Sequence, residues 1–151
     1  MTTMICEVKE IENDFEKDLV RMLIRYYHAQ GLPIGGGAGK NSRYFMYMCD
    51  GFITAVAWLH DNTPFHFIAS HFNIPNDRTY FIRRITKTAP GDYLVRFLED
   101  LSEKLRKDGF EYLWTLGFDD HSNALYKKAG FKFVGETSRT HTPVFVKALN
   151  E

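Results

Sequence analysis

The sequence has little that would name a partner from composition alone. Its 19 Lys and Arg are matched by 19 Asp and Glu. No net charge therefore draws it toward nucleic acid or a membrane, and either partner would need a local patch. No apolar run approaches about 18 residues, the length of a membrane-spanning helix. No basic-then-apolar segment opens the chain, so the expected compartment is the cytoplasm. Only two cysteines occur, Cys6 and Cys49. They are far apart, show no metal-ligand spacing, and read as free thiols in a reducing compartment. No repeat, low-complexity tract or shift of composition divides the 151 residues, which suit one domain with a real core.

What is present is an ordered series of caps, turns and stripes. A first strand is expected over residues 3–8. Asn13 with Glu16 makes a capping-box start. Phe15, Leu19, Met22, Leu23, Tyr26 and Tyr27 then fall on one helical stripe, which Gly31 and Pro33 end. Strands over 44–48 and 52–60 flank Asp50-Gly51, a preferred two-residue hairpin turn. Residues 61–64 make the next turn. Residues 65–72 read as another extended, aromatic stretch, 73–77 break it, and 79–86 read as a further strand. Pro90-Gly91-Asp92 opens a long helix with Asp92 as its cap. Tyr93, Leu94, Phe97, Leu98, Leu101 and Leu105 form the buried face of that helix. Lys104, Arg106 and Lys107 gather where its dipole favours cations, and Gly109 stops it. A strand over 112–116 follows, and strand–helix–strand across 79–116 implies a parallel pair.

The Gly35-Gly-Gly-Ala-Gly39-Lys40 segment is not a phosphate-binding P-loop. Ile34 stands where a Gly is needed, Asn41 where Ser or Thr is needed, and the loop joins a helix to a strand rather than the reverse. It reads as a mobile loop.

The C-terminal stretch organises the rest. Asp120 or Ser122 can cap a short helix, on which Leu125, Tyr126 and Ala129 share a face. Gly130 sits where a left-handed stop is favoured. Phe131 and Phe133 alternate with Lys132 in a half-buried strand over 131–136, and a strand over 144–149 closes the chain. This short helix ending in Tyr126-x-x-x-Gly130-Phe131, together with the order of elements over nearly the whole chain, resembles the GNAT superfamily of N-acyltransferases. The resemblance implies an α+β fold in a single acyltransferase-like domain over 1–151. Its sheet would be mixed, mostly antiparallel and twisted, with a parallel, splayed central strand pair and helices on both faces.

The resemblance further implies that acetyl-CoA, or another acyl-CoA, lies where the parallel strands part. Arg84, Ile85 and Thr86 would offer the strand edge. Ala89, Pro90, Gly91, Asp92 and Tyr93 would form the phosphate loop at a helix start, where unpaired amides attract anions. This loop departs from the family pattern, with one glycine and an acid, and Lys87 and Arg96 could compensate. Tyr126 matches the tyrosine that protonates the leaving thiolate; a phenol of ordinary pKa near 10 carries its proton at neutral pH. Asn123 would contact the cofactor. For a base, His60 and His71 rank first among His60, Asp61, His66, His71 and His121, since histidine titrates near neutrality. Without a base, direct attack of the amine, aided by proximity, is the expected route.

The leading reading is thus an acyl-CoA-dependent N-acyltransferase, an acetyltransferase in the first instance, acting on a primary amine of a small molecule or protein. A second reading is a DNA-modifying enzyme. The run from His121 to Thr137 resembles phage Mom-type proteins, and Arg78, Arg83, Arg84, Lys127, Lys128, Lys132 and Arg139 would supply a basic face. A third is a binding module that keeps the fold without turnover. Exposed aromatics in 65–72 would support a homodimer.

Overall fold

The computed structural model describes residues 4–28, 30–32, 41–117 and 123–150. The strands are β1 (Cys6–Ile11), β2 (Arg43–Cys49), β3 (Phe52–His60), β4 (Thr79–Lys87), β5 (Tyr112–Leu116), β6 (Lys132–Glu136) and β7 (Pro143–Ala148). The helices are α1 (Asp14–Tyr27), α2 (His66–His71), α3 (Leu94–Lys107) and α4 (Ala124–Lys128). The strands form one sheet in the order β1-β2-β3-β4-β5-β7-β6. β4 and β5 run parallel and every other neighbouring pair is antiparallel. This is the expected mixed α+β architecture, with helices on both faces. Among the described residues no helix is long and apolar enough to cross a membrane.

Local chemistry explains the joints. Asp50 and Gly51 both hold positive φ, at 50° and 84°, as a primed hairpin turn requires. Asp50 also bonds back to β1's entry: its amide donates to the Ile5 carbonyl at 2.8 Å, and its Oδ1 accepts from the Ile5 amide at 3.0 Å. β1 therefore starts and ends three residues later than the 3–8 expected, because its pairing runs from Cys6 opposite Cys49 to Ile11 opposite Tyr44. That register sets the two cysteines face to face, and they form a disulfide with Cα atoms 4.0 Å apart. The reading of both as free thiols is corrected by this contact, which only strand register creates.

α1 opens on its capping box: Asn13 Oδ1 accepts from the Glu16 amide at 2.8 Å, and the Asn13 side-chain amide donates to Glu16. Its buried face differs from the one expected. Val20 and Ile24 pack on Tyr44, Met46, Val56 and Trp58, with Leu19 and Leu23 at the margin. Phe15 and Tyr26 are 81% and 80% exposed. The helix is apolar over more than one face, and the compact β-branched pair is the one that meets the stacked Tyr44 and Trp58 rings.

The other face of the sheet carries α3, whose Phe97, Leu98, Leu101 and Leu105 join Phe45, Tyr47, Leu59 and Ile82 in the main core. The Tyr47 hydroxyl donates to Asp100 at 2.5 Å and holds helix to sheet. α3 begins at Leu94 with Tyr93 at the cap position and no side-chain capping bond, so the exposed Asp92 does not cap it. Asp92 stands one residue before the cap position, and Gly91 precedes it. Gly91 has φ 134°, and a Cβ there would come within 2.5 Å of the Tyr93 ring, which covers it. Both α3 and α4 end alike. Gly109 and Gly130 take φ of 95° and 94°; Gly109 N–H bonds Arg106 O and Phe110 N–H bonds Leu105 O, and Gly130 N–H bonds Lys127 O and Phe131 N–H bonds Tyr126 O. That pair of bonds is the Schellman stop.

The stretch 65–72 is helical, not extended. A 3-10 turn over Thr63–Phe65, with Pro64 at its start, leads into α2. Ile68 and Ala69 then pack on Phe81 and Trp114. Asn62 fixes the entry, accepting from Trp114 Nε1 at 2.8 Å and donating to Pro75 O at 2.9 Å.

One ion network ties the first strand to the third helix's end. Arg43 donates to both Glu10 oxygens, at 2.8 and 2.5 Å, and to Asp108 at 3.0 Å. Its guanidinium lies over the Phe45, Tyr80 and Phe110 rings. The Arg43 hydrogen bond, opposed by burial, holds the Glu10 carboxyl below its ordinary 4.5. Stability from a depressed carboxylate is present above the unfolded value and is lost as pH falls through the folded one. Arg43→Met is expected to cost about 2 kcal/mol at neutral pH. In denaturant titrations that difference should shrink as pH falls below the ordinary 4.5 and through the lowered folded value; a pH-independent difference would refute the ionic account.

Candidate functional site

The central parallel pair is short. β4 and β5 pair from Thr79 opposite Tyr112 to Ile82 opposite Thr115, and there the pairing stops, although β4 runs on to Lys87. Thr115 Oγ1 donates to the Ile82 carbonyl at 3.1 Å, at the last paired position. On its other edge β4 stays with β3, but with a shift: Trp58 faces Arg84 while Leu59 faces Ile82. Arg83 is thus an extra residue, a β-bulge, and a bulge bends its strand and sharpens the twist. β5 meanwhile follows β7. The two strands part at Ile82 and Thr115.

α4 carries Tyr126 into the fork. Its ring is 4% exposed, lies 5.3 Å from Phe145 in a stack and 5.8 Å from Phe131 edge-on. Burial pushes the phenol above its ordinary pKa of 10, and a hydrogen bond with Thr115 opposes the rise. The group is therefore a proton holder throughout the neutral range.

Two clefts meet at this point and share Ile85, Tyr126 and His28. The larger, about 720 Å³, runs from Ile85 and Thr86 past Ala89 and Pro90 to Leu94 at the start of α3. There the first turn of α3 offers amides without helical partners, the first helical bond being Phe97 N–H to Tyr93 O. The Lys87 ammonium bonds Gly91 O at 3.5 Å along the same loop. The smaller cleft, about 250 Å³, opens on the α1 side and is walled by Phe81, Arg83, Arg84, Leu116 and Thr142.

Of the expected cofactor residues, Ile85, Thr86, Ala89 and Pro90 line the larger cleft. Gly91 and Asp92 are exposed on its loop and Tyr93 packs on Gly91. Arg84 turns to the smaller cleft instead, its Nε donating to Gly31 O at 2.7 Å. Asn123, in a left-handed conformation, is buried with Oδ1 against Gly117, where a Cβ would sit 2.6 Å away. It makes no capping bond, and the caps expected at Asp120 or Ser122, like the glycine-rich 35–40 segment and His121, lie outside the described residues.

The two favoured histidines are not brought to Tyr126. His60 is fully buried: its Nδ1 lies 2.6 Å from Asp61 O, its Nε2 has no partner, and burial lowers its pKa. His71 is exposed and lines a third cleft of about 350 Å³ between α2 and the β6–β7 turn. The histidine at the fork is His28, which caps the C-terminus of α1. Its Nδ1 accepts from the Gln30 amide at 3.0 Å. Burial and then the Arg84 charge press its pKa to about 4, so it is neutral at working pH. A titratable residue at a helix end before Gly31 was the available signal for it. Of the seven residues named for the second reading's basic face, Arg83 and Arg84 line a cleft, Arg78 pairs with Asp77 and Glu111, and Lys127, Lys128, Lys132 and Arg139 are exposed.

No family model matches the chain. It is 70% identical over 149 residues to "Uncharacterized protein 154" of Sulfolobus islandicus rod-shaped virus 1, with 96% of this chain and 97% of the other covered. Among solved structures it is similar to the aminoglycoside acetyltransferase AAC(6')-Ib in complex with coenzyme A and kanamycin, with TM-score 0.68, 14% identity and 95% of each chain covered. It is similar to FeeM, an N-acyl amino acid synthase from uncultured soil microbes, with TM-score 0.66, 13% identity, 99% of this chain and 93% of that one covered. It is also similar to the ribosomal-protein-S18-alanine N-acetyltransferase of Escherichia coli, with TM-score 0.61, 16% identity, 94% and 91% covered. At these identities the likeness is one of fold.

Proposed function

Because the chain belongs to the family of the rod-shaped virus protein 154 and has the fold of the GNAT N-acyltransferases, we propose that it moves an acyl group from acyl-coenzyme A to a primary amine. The observation that carries this reading is the fork itself: strands that part at Ile82 and Thr115, with a buried, protonated Tyr126 beside the split.

The residues present fit a thioester with a long polar arm and an anionic tail. β4 beyond Ile82 has an edge that β5 does not cover. Pro90, Leu94 and Leu125 give the larger cleft an apolar wall. The first-turn amides of α3 suit a phosphate, helped by the nearby Lys87. Tyr93 covers Gly91, so the α3 amides rather than Gly91 would hold that charge. When bound, acyl-coenzyme A supplies an activated acyl carbon. Ile85 and Thr86 orient it along β4. Tyr126 Oη holds a proton for the departing sulfur, which is the role a raised phenol pKa permits. The acceptor amine enters through the smaller cleft. With His60 and His71 away from the fork and His28 neutral, water takes the amine's proton, and proximity supplies much of the rate.

Calorimetry and thermal unfolding test the reading. At 100 times its Kd, acetyl-coenzyme A should raise Tm by roughly 5–11 °C. Mass spectrometry should find acylated amine after single turnover. No binding by coenzyme A or its acetyl form would end the proposal, and binding without acylation of a broad amine panel would leave a binding module.

A further inference from the structure

Two arginines face the smaller cleft, and among the described residues no acid on its wall balances them. Arg83 and Arg84 both line it, and no Asp or Glu among the described residues does. Arg84 is partly satisfied by carbonyls, Gly31 O at 2.7 Å and Arg83 O at 2.8 Å. Arg83 Nε is buried with no hydrogen-bond partner, and its guanidinium lies 4.8 Å over the Phe65 ring. Burial lowers the pKa of both, Arg84 to about 10 with Arg83 adding to the push. The neutral His28 contributes no charge to the same wall.

Two desolvated cations side by side disfavour each other, and an anion between them would relieve both. A guanidinium is a planar fork of donors that matches a carboxylate with two parallel bonds. Beyond the arginines the walls turn apolar. Phe65, Leu116 and Thr142 are shared with the third cleft, which continues to Ile68 and Phe72. A cation, a planar anion site and an apolar extension thus follow one another away from the fork.

We propose that the smaller cleft recognises the carboxylate of the acceptor, an α-amino acid with an apolar or aromatic side chain. Its carboxylate sits on Arg83, with Arg84 behind, and its side chain runs toward Phe65 and Leu116. This leaves the amine turned to Tyr126, and it rests on the acyl-transfer reading only for what then happens to that amine. The same charges turn away polycationic acceptors.

The test compares phenylalanine with phenylalaninamide, and with 2-aminoethyl phosphate as a rival anion, by calorimetry on the full chain. Phenylalanine should bind about tenfold or more tighter than its amide. Arg83→Gln should bring acid and amide within about threefold, while Arg83→Lys keeps part of the preference. Equal binding of acid and amide in the unaltered protein, no binding of the acid, or a preference that survives Arg83→Gln would overturn the proposal. So would tighter binding of the phosphate. Phenylalanine binding without acylation would uphold this site and sink the transferase reading instead; turnover of amides in preference to acids would do the opposite.

Discussion

Tyr126→Phe should lower kcat for acyl transfer by about 100-fold, with little change in KM for the acyl donor. The substitution removes one oxygen and keeps the ring that stacks on Phe145 and meets Phe131. Thr115 keeps its bond to Ile82 O, so the fork itself stays bonded and stability should move by no more than about 1 kcal/mol. A packing role would give the reverse pattern, unchanged kcat with a lowered Tm. Because burial raises the phenol's pKa above 10, the protonated form is fully present at neutral pH and is lost only above that value. The alkaline limb of the kcat profile that belongs to Tyr126 should therefore lie beyond pH 10. Stopped-flow or coupled-thiol assays across pH, with Tyr126→Phe as the control, separate the two accounts. A kcat within about threefold of the unaltered protein's would remove Tyr126 from the proposed chemistry.

Breaking the Cys6–Cys49 disulfide should have the largest effect on stability. The bond closes a loop with a sequence separation of 43, for which the chain-entropy relation gives about 4 kcal/mol. For a chain of this size that corresponds to a fall in Tm of roughly 8–16 °C. Reduction and the Cys6→Ser variant should agree, because both free the unfolded chain in the same way. Thr54, whose hydroxyl bonds Cys49 Sγ at 3.4 Å and Tyr47 O at 3.0 Å, keeps its carbonyl partner in either case. Differential scanning calorimetry with thiol counting checks this. Full reduction with no change in Tm would show that the antiparallel register alone holds β1.

The elements legible in the sequence were those with local causes. Asp50-Gly51 announced its hairpin because both positions need a left-handed backbone, and Gly109 and Gly130 announced their helix stops for the same reason. Strand, long helix, strand across 79–116 implied the parallel pair because chain reversal of that length allows little else. What escaped depended on partners distant in sequence. The disulfide needed the β1–β2 register. The helical state of 66–71 was masked by β-prone aromatics, and was decided by Ile68 and Ala69 docking on Trp114. For α1, two apolar faces competed, and the choice was made by the shape of the sheet below.

The site divided along the same line. The positions of Tyr126 on α4 and of the β4 edge that β5 leaves uncovered were legible because a short motif and an element order carry them. His28 and the buried orientation of Arg83 were not, because a pair of adjacent arginines in a strand ordinarily points to opposite faces. His60 looked available at a strand end, yet the strand's end is covered by Phe81 and it is sealed from solvent.

The bulge at Arg83 has a consequence for how this strand can vary. Ile82 and Ile85 both enter the core beneath α3, although an odd step along a regular strand changes sides. The added residue acts as a frame shift in side-chain parity. Deleting either arginine would leave Ile82 and Ile85 two positions apart, so regular alternation would still turn both into the core. A shortened chain of that kind would retain its core contacts and most of its hydrogen-bond ladder while losing the bend and the cationic pair. The extra residue is therefore dispensable for folding and serves the cleft.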